Sequence, residues 1–197
     1  MVNLPQQTIR TNQVVLAEGV IDKIDLLDII EKVETLEWSD DGSIRTPIPI
    51  KGNTKKQKAE DIIDTTIRSS KIKWIPENDK FQPLYQMLAE MISLKNKECW
   101  NFDLHGFYEG IQYAEYHATD KGHYNWHMDA GDGLSSLRKI SVTIQLSDPE
   151  DYEGGDLEFN QGGETFNIAP KSKGAIAIFP SYILHRVTPV TKGVRKS

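Results

Sequence analysis

Three residues carry side chains that are able to bind one metal ion. His127 and Asp129 form a His-x-Asp pair, and His185 follows 56 residues after Asp129. If the pair lies on a strand, its two side chains point to the same face and can reach one point in space. Two histidines and one carboxylate are the ligand set of the facial triad, which holds Fe(II) and leaves coordination positions open. A lone His-x-Asp pair is common by chance, so a second signal is needed.

The C-terminal segment supplies that second signal. Arg195 stands ten residues after His185, and a turn at Lys192-Gly193 would return the chain on a neighbouring antiparallel strand. Arg195 would then lie near the level of the metal. A guanidinium binds a carboxylate through two parallel hydrogen bonds. The combination suits a dicarboxylate co-substrate that chelates the metal at one end and binds Arg195 at the other.

These residues belong to a longer pattern, which covers roughly residues 112–197. Its members are Tyr116, Gly122, Tyr124, His127-x-Asp129, Leu146-Ser147-Asp148-Pro149, Gly154-Gly155-Asp156-Leu157, His185, Pro189, Gly193, Arg195 and Ser197. The pattern resembles that of the 2-oxoglutarate- and Fe(II)-dependent dioxygenases, specifically their prolyl-4-hydroxylase-like branch.

The resemblance implies a role for each matching residue. The iron ligands and catalytic residues that it implies are His127, Asp129 and His185. It assigns Arg195 to the distal carboxylate of 2-oxoglutarate, with Ser197 two residues further on the same face. It assigns Tyr116 to the co-substrate as well, although Tyr116 stands eleven residues before His127, further than in several members of the family.

The implied reaction consumes molecular oxygen and 2-oxoglutarate, releases succinate and carbon dioxide, and hydroxylates an unactivated carbon. The cofactor performs the difficult step and the protein supplies geometry. The implied partner is a peptide or protein substrate, hydroxylated on a proline, and ascorbate is a further candidate cofactor. Trp126 is a candidate substrate contact, since an aromatic wall suits a proline ring, or equally a core residue. Arg138 and Arg68 are further candidate substrate contacts, with solvated surface as the alternative. We expect Tyr124 in the core.

Two features depart from the family pattern. Ile144 stands on a strand where some members carry a second tyrosine for the co-substrate, and Thr143 is a candidate substitute. Ser197 is the last residue, whereas members of the family usually continue this strand with an aromatic residue near the active site.

The first half of the chain is helix-rich. Apolar residues at helical spacing predict helices over 22–35 and 79–96, and a polar stretch without a period predicts a loop over 38–57. A loop of this length is a candidate lid. A short helix over 58–68 and a strand over 70–75 complete this half.

The second half alternates with period two. About seven short strands are predicted, including a hairpin in which residues 157–159 and 165–168 flank a turn at 160–163. Many short strands with glycine, proline and aspartate turns indicate a jelly roll. The predicted class is α+β, with a double-stranded β-helix (jelly-roll, cupin-like) core. We expect one domain over 1–197, with 1–100 as helical support and 101–197 as catalytic core.

The composition of the chain limits its binding partners and its cellular location. The 23 basic and 29 acidic residues give a net charge of −6, which argues against nucleic acid and anionic membranes as partners. The single cysteine cannot form an internal disulfide. No apolar stretch approaches the roughly 18 residues of a membrane span, and the N-terminus does not resemble a secretory signal. A cytoplasmic location is expected.

Two other functions remain open. The same chemistry could act on a nucleobase or another small molecule, although the acidic balance argues against nucleic acid. A non-catalytic jelly-roll binding module with a structural metal is the other possibility. Arg195 beside a complete ligand triad argues against that module, because a structural metal site has no use for a co-substrate arginine.

Overall fold

The computed structural model describes residues 13–39 except 20 and 22, residues 64–107 and residues 109–197. These residues contain two α-helices, α1 (Lys23–Glu34) and α2 (Gln82–Cys99). The twelve strands are β1 (Val15–Ala17), β2 (Arg68–Ser69), β3 (Lys71–Ile75), β4 (Ile111–His117), β5 (His123–His127), β6 (Ile140–Ile144), β7 (Tyr152–Gly154), β8 (Leu157–Asn160), β9 (Asn167–Ile168), β10 (Ile176–Pro180), β11 (Leu184–Val187) and β12 (Val190–Lys196).

Three antiparallel sheets surround one interior. Their strand orders are β1-β10-β6, β2-β5-β11-β8-β9 and β3-β4-β12-β7. The backbone N–H of Leu146 donates to the carbonyl of Lys196, which joins the first sheet to the third. Buried side chains from all three sheets, including Tyr116, Phe159 and Phe179, pack into one cluster. The predicted double-stranded β-helix is confirmed, and so is the hairpin, in which Glu158 on β8 pairs with β9.

Strand β10 shows how the sequence fills two layers. All five of its residues are buried. Because neighbouring residues of a strand point to opposite faces, Ala177 and Phe179 enter the barrel interior while Ile176 and Ile178 pack outside against Trp100. A strand covered on both faces is apolar throughout, without the alternation of a half-exposed strand.

The two helices pack outside the third sheet, as predicted. Leu26 and Val33 of α1 and Leu88 of α2 share a cluster with Tyr113 of β4. The ε-amino group of Lys73 on β3 donates to the carbonyls of Val33 and Glu34, so it satisfies the C-terminal carbonyls of α1. Within the described ranges, neither helix is long and apolar enough to cross a membrane.

Two details near residue 65 differ from the sequence prediction. The short helix predicted over 58–68 is wrong over its described part, where 64–67 form a turn and β2 follows. The carboxylate of Asp64 accepts hydrogen bonds from the backbone N–H and the hydroxyl of Thr66, and such an Asx turn competes with helix formation. Residues 58–63, and the predicted loop from 40 to 57, lie outside the described residues.

The turn predicted at Lys192-Gly193 is also wrong. The chain reverses at Thr188-Pro189, and β12 then enters the third sheet between β4 and β7 instead of pairing with β11. Proline cannot donate to a strand ladder, so Pro189 separates the two strands. Gly193 lies inside β12 with φ +70, and a Cβ there would collide with the carbonyl of Asp151.

Candidate active site

Three side chains converge at one end of the barrel interior. His127 on β5 stands directly opposite His185 on β11. The Nε2 atom of His127 lies 3.5 Å from one carboxylate oxygen of Asp129, and the Nε2 atom of His185 lies 3.6 Å from the other. One ligand atom from each residue lies within 4.8 Å of the other two. Two imidazole nitrogens and a carboxylate at this spacing fit a facial Fe(II) triad.

Local backbone contacts orient both imidazoles. Nδ1 of His127 lies 2.8 Å from the carbonyl oxygen of Asn125, and Nδ1 of His185 lies 2.8 Å from that of Ile183. A carbonyl can only accept, so Nδ1 donates in each contact. In the neutral imidazole, the lone pair is then on Nε2, which faces Asp129. This is the usual orientation of a histidine that ligates a metal.

Asp129 is held by the loop that follows β5. We predicted that the pair shares a strand, but β5 ends at His127 and Asp129 lies beyond it. The backbone N–H groups of Asp129 and Ala130 both donate to the carbonyl of Ser181 at 2.9 Å. The hydroxyl of Ser141, itself 2.9 Å from that of Ser181, contacts the Asp129 carboxylate. The turn after β10 therefore positions a ligand from the turn after β5.

The protonation states at this end suit metal binding. Burial acts to raise the pKa of Asp129, but the adjacent His127, His185 and Ser141 side chains outweigh it and lower the pKa to about 2. Burial lowers the pKa of His185, against the opposing effect of Asp129. A metal needs a deprotonated carboxylate and a neutral imidazole. Both are present at neutral pH.

Aromatic rings pack against both histidines. Tyr124, expected in the core, stacks on His127 with 3.4 Å between ring centroids. The cause is a bulge: Tyr124 and His127 are three residues apart on β5, yet they pair with Val187 and His185, two apart on β11. Alternation in the sequence cannot reveal such an inserted residue. On the other side, the ring of Phe179 lies 4.8 Å from that of His185.

Arg195 lies in a separate buried part of the interior. Its side chain extends from β12, opposite Tyr116 on β4, with the guanidinium 5.4 Å from the Tyr116 ring. The guanidinium donates to the Ser197 hydroxyl at 3.1 Å. Arg195 is only 3% exposed, and it forms no ion pair with any described Asp or Glu. A buried cation without an anion is strongly unfavourable, so the position fits a ligand carboxylate.

A small pocket, partly open to solvent, lies beside Arg195. Thr143 lines it, whereas Ile144 points outward to the helices, which settles the register that the sequence left open. Tyr152 and Gln145 also line the pocket and were not anticipated. No local motif marks them, because each reaches Arg195 only through the folded sheets.

We call the part of the interior around His127, Asp129 and His185 the metal end, and the part around Arg195 the carboxylate end. The two ends lie on one face of the interior. Three strands each carry a residue at the metal end and, two positions along, a residue that lines the pocket. These pairs are Ser141 and Thr143 on β6, Phe159 and Leu157 on β8, and Phe179 and Ala177 on β10. Two residues of strand span about 7 Å. This spacing along the strands matches the length of a five-carbon dicarboxylate.

The segment from residue 111 to residue 197 matches the family model described as the 2OG-Fe(II) oxygenase superfamily. It contains the three ligands and Arg195. The match covers 87 of the 197 residues, so this part of the chain is similar to that superfamily.

Curated relatives of this chain are named PKHD-type hydroxylases. One, from Azoarcus sp. (strain BH72), is 39% identical over 84 residues, which is 40% of this chain and 37% of that protein. Another, from Synechococcus sp. (strain CC9311), is 44% identical over 78 residues, 39% of this chain and 35% of that protein. The chain therefore spans about a third of the length of these relatives.

Solved structures of two prolyl hydroxylases have the same fold. A Pseudomonas putida prolyl-4-hydroxylase is similar over 94% of this chain and 89% of that chain, with a TM-score of 0.64 and 17% identity. A Trichoplax adhaerens prolyl hydroxylase, in complex with a hypoxia inducible factor peptide fragment, is similar over 94% and 81%, with a TM-score of 0.70 and 19% identity. At these identities the likeness shows the fold alone, a double-stranded β-helix.

Trp126, a candidate substrate contact, faces the outside of the barrel, and its role in substrate binding stays a prediction. It neighbours His127 on β5 and points away from the metal end, since alternate residues face opposite sides. Its ring instead contacts Phe166, with centroids 4.9 Å apart, and the guanidinium of Arg186 lies 4.6 Å from its centroid.

Arg138 and Arg68 lie beside the ligands. Arg138 donates to the backbone carbonyl of Asp129 at 3.0 Å and forms an ion pair with Glu109. It thus supports the loop that carries a ligand. Arg68 lies 4.8 Å from the centre of the Tyr124 ring and donates to Gln112 at 2.6 Å.

Proposed function

We propose that the chain is a 2-oxoglutarate- and Fe(II)-dependent dioxygenase that hydroxylates a prolyl residue of a peptide or protein. The observation that carries the proposal is the pairing of a His-Asp-His ligand set with a buried, unpaired Arg195 on one face of the barrel interior. A structural metal site would need the first but not the second.

Each residue has a role in this proposal. His127, Asp129 and His185 hold Fe(II), which, when bound, supplies oxygen activation with molecular oxygen as oxidant. Arg195 binds the distal carboxylate of 2-oxoglutarate, and Ser197 orients the guanidinium through their hydrogen bond. The role of ascorbate as a further cofactor stays a prediction.

Tyr116 and the aromatic residues close this interior. Tyr116 of β4 is 4% exposed and its ring lies 5.4 Å from the Arg195 guanidinium, so it would contact the co-substrate there and exclude water from its distal carboxylate. Phe159 and Phe179 cover the buried side of His185. A dry site strengthens the electrostatic attraction between Arg195 and a carboxylate.

Two observations support a prolyl substrate. The curated relatives are named PKHD-type hydroxylases, and the Trichoplax neighbour was solved with a peptide fragment. In this chain, Met128, Leu134 and Leu137 are exposed in the loop around Asp129. Apolar side chains beside the metal end suit a proline ring and its flanking residues. One domain over 1–197 and a cytoplasmic location complete the proposal.

Succinate formation tests the proposal. The purified chain, with Fe(II), oxygen and 2-oxoglutarate, is incubated with proline-containing peptides and with matched peptides in which alanine replaces proline. We expect the proline peptides alone to stimulate succinate release and to gain the mass of one oxygen atom on proline.

Two outcomes would contradict the proposal in different ways. Succinate release that no proline peptide stimulates would remove the prolyl substrate and favour a nucleobase or small-molecule substrate. No succinate release from a protein that has bound iron would remove the dioxygenase activity and favour a binding module.

A further inference from the structure

The hydroxyl group of Tyr152 is an unsatisfied hydrogen-bond donor. Tyr152 begins β7 and pairs with Gly193 on β12. The side-chain amide of Gln145 donates to its oxygen at 2.9 Å, and the Arg195 guanidinium lies within hydrogen-bonding reach of the same oxygen. Both neighbours are donors, so the phenol oxygen acts only as an acceptor. Its own O–H proton has no acceptor among the described residues.

That unused donor lies in the Arg195 pocket. Tyr152, Gln145 and Arg195 line the same space. Tyr152 is only 4% exposed, and burial raises the pKa of its hydroxyl, so the proton is retained at neutral pH. A buried donor without a partner is unfavourable, which indicates a ligand acceptor.

Gly155 lets the two side chains lie next to each other. A Cβ built on Gly155 would lie 3.0 Å from Cδ of Arg195 and 3.3 Å from Cε2 of Tyr152. The other cation in the pocket, Lys171, is 2.7 Å from the carboxylate of Asp156 and is therefore already paired. Arg195 and Tyr152, with the hydroxyl of Thr143, are left as the donors to an incoming anion.

We propose that Tyr152 is a co-substrate-binding residue whose hydroxyl donates a hydrogen bond to the distal carboxylate of 2-oxoglutarate, beside Arg195. The inference rests on the proposed function and deepens it. β7 places the Tyr152 phenol at the carboxylate end. β6, the strand on which some members of the family carry a tyrosine, places Thr143 there. Gln145 is a positioning residue, since its amide holds the phenol oxygen and leaves the O–H proton for the ligand.

Binding without turnover tests this role. Under anoxic conditions with Mn(II) in place of Fe(II), calorimetry measures the affinity for 2-oxoglutarate and for 2-oxopentanoate, which has the same carbon chain without the distal carboxylate. We expect Tyr152→Phe to weaken 2-oxoglutarate binding about 10-fold, as for a lost hydrogen bond to a charged group. Affinity for 2-oxopentanoate and for Mn(II) should be unchanged.

Two further variants make the test specific. Tyr113→Phe is the matched control, because the hydroxyl of this buried tyrosine donates to Glu115, away from the pocket. It should bind 2-oxoglutarate like the wild type. Gln145→Met should reproduce the selective loss more weakly, since it frees the Tyr152 hydroxyl without removing it. Circular dichroism verifies the fold of each variant.

The outcomes separate this inference from the proposed function. An equal loss for both ligands, or no loss in Tyr152→Phe and Gln145→Met, would overturn the role of Tyr152 and leave the proposed function standing. A wild-type protein that binds Mn(II) but not 2-oxoglutarate would overturn the proposed function and this role with it.

Discussion

The metal end and the carboxylate end of the barrel interior are built in different ways. The side chains of His127, Asp129 and His185 are 14%, 27% and 7% exposed, and carbonyls two residues earlier in the chain orient both imidazoles. Arg195 is 3% exposed, and the groups around it come from β4, β7 and the end of β6. Short-range chain geometry orients the histidines, whereas only the assembled sheets form the carboxylate end.

The two ends also differ in charge balance. At the metal end, an ionised Asp129 faces two imidazoles, and its low pKa shows that the protein stabilises the charge. At the carboxylate end, buried Arg195 forms no direct ion pair with a described carboxylate, and Asp156, which acts on it at longer range, is already paired with Lys171. The protein therefore stores an unfavourable charge that its co-substrate neutralises, so stability and binding oppose each other there.

The largest expected effect is at the metal end. Asp129→Ala removes one of three ligands and should reduce metal-dependent succinate formation to background, while circular dichroism shows a retained fold. Asp132→Ala, in the exposed loop nearby, is the matched control and should keep full activity. Full turnover in Asp129→Ala would show that the ligand assignment is wrong.

Replacement of Arg195 separates binding from stability. Arg195→Met should raise the KM for 2-oxoglutarate about 100-fold, because a desolvated charge pair is lost. The Tm of the unliganded protein should stay the same or rise, since a methionine fills the space without an unpaired charge. Steady-state kinetics and thermal melts measure the two effects. A large fall in Tm with an unchanged KM would mean that Arg195 is structural.

A larger side chain at Gly155 should affect the carboxylate end and leave the metal end unchanged. Gly155→Ala places a methyl 3.0 Å from the Arg195 side chain and should weaken 2-oxoglutarate binding about 10-fold, with metal affinity unchanged. Gly162→Ala is the control, because φ is positive at both glycines, at +61 and +88, but no atom lies within 4 Å of a Cβ at Gly162. Equal 2-oxoglutarate affinity in the two variants would argue against close packing at the carboxylate end.

The smallest expected effect concerns the support of β12. Burial acts to raise the pKa of Glu115, but hydrogen bonds from Tyr113 and His117 and the charge of Lys196 outweigh it, so the pKa is lowered. A lowered folded pKa contributes stability above the unfolded value, near 4.5, that is lost as the pH falls through the folded value. Glu115→Gln should therefore lower the Tm by a few degrees at pH 7.

A second ion pair that involves a lysine of β12 provides the control for Glu115. Glu153 pairs with Lys192 of β12, and both side chains are exposed. Glu153→Gln should leave the Tm unchanged, because exposed pairs contribute little. The difference between Glu115→Gln and the wild type should disappear in melts below the folded pKa of Glu115. A difference that persists there would assign the effect to packing.

Local signals made much of the fold predictable from the sequence. Helical spacing located α1 to within one residue at each end and α2 to within three residues. The Gly162-Gly163 turn located the hairpin. The three candidate ligands and Arg195 were also named from their spacing, and the structure brings the ligands together.

Features that depend on tertiary register were missed. The β5 bulge moved Tyr124 onto His127, and Pro189 rather than Gly193 separated β11 from β12. Tyr152 was overlooked for the same reason. It contacts Arg195 from the neighbouring strand, although the two residues are 43 positions apart in the chain. Period-two alternation shows which side chains of a strand share a face, but it does not identify the strand that lies next to it.

The stacking of Tyr124 on His127 gives the protein an intrinsic optical reporter. A phenol ring 3.4 Å from an imidazole is a chromophore in direct contact with a metal ligand. Loading of the site changes the electric field at that ring, so the near-ultraviolet dichroism of the tyrosine should follow metal occupancy without an added dye. Tyr124→Phe would silence the signal.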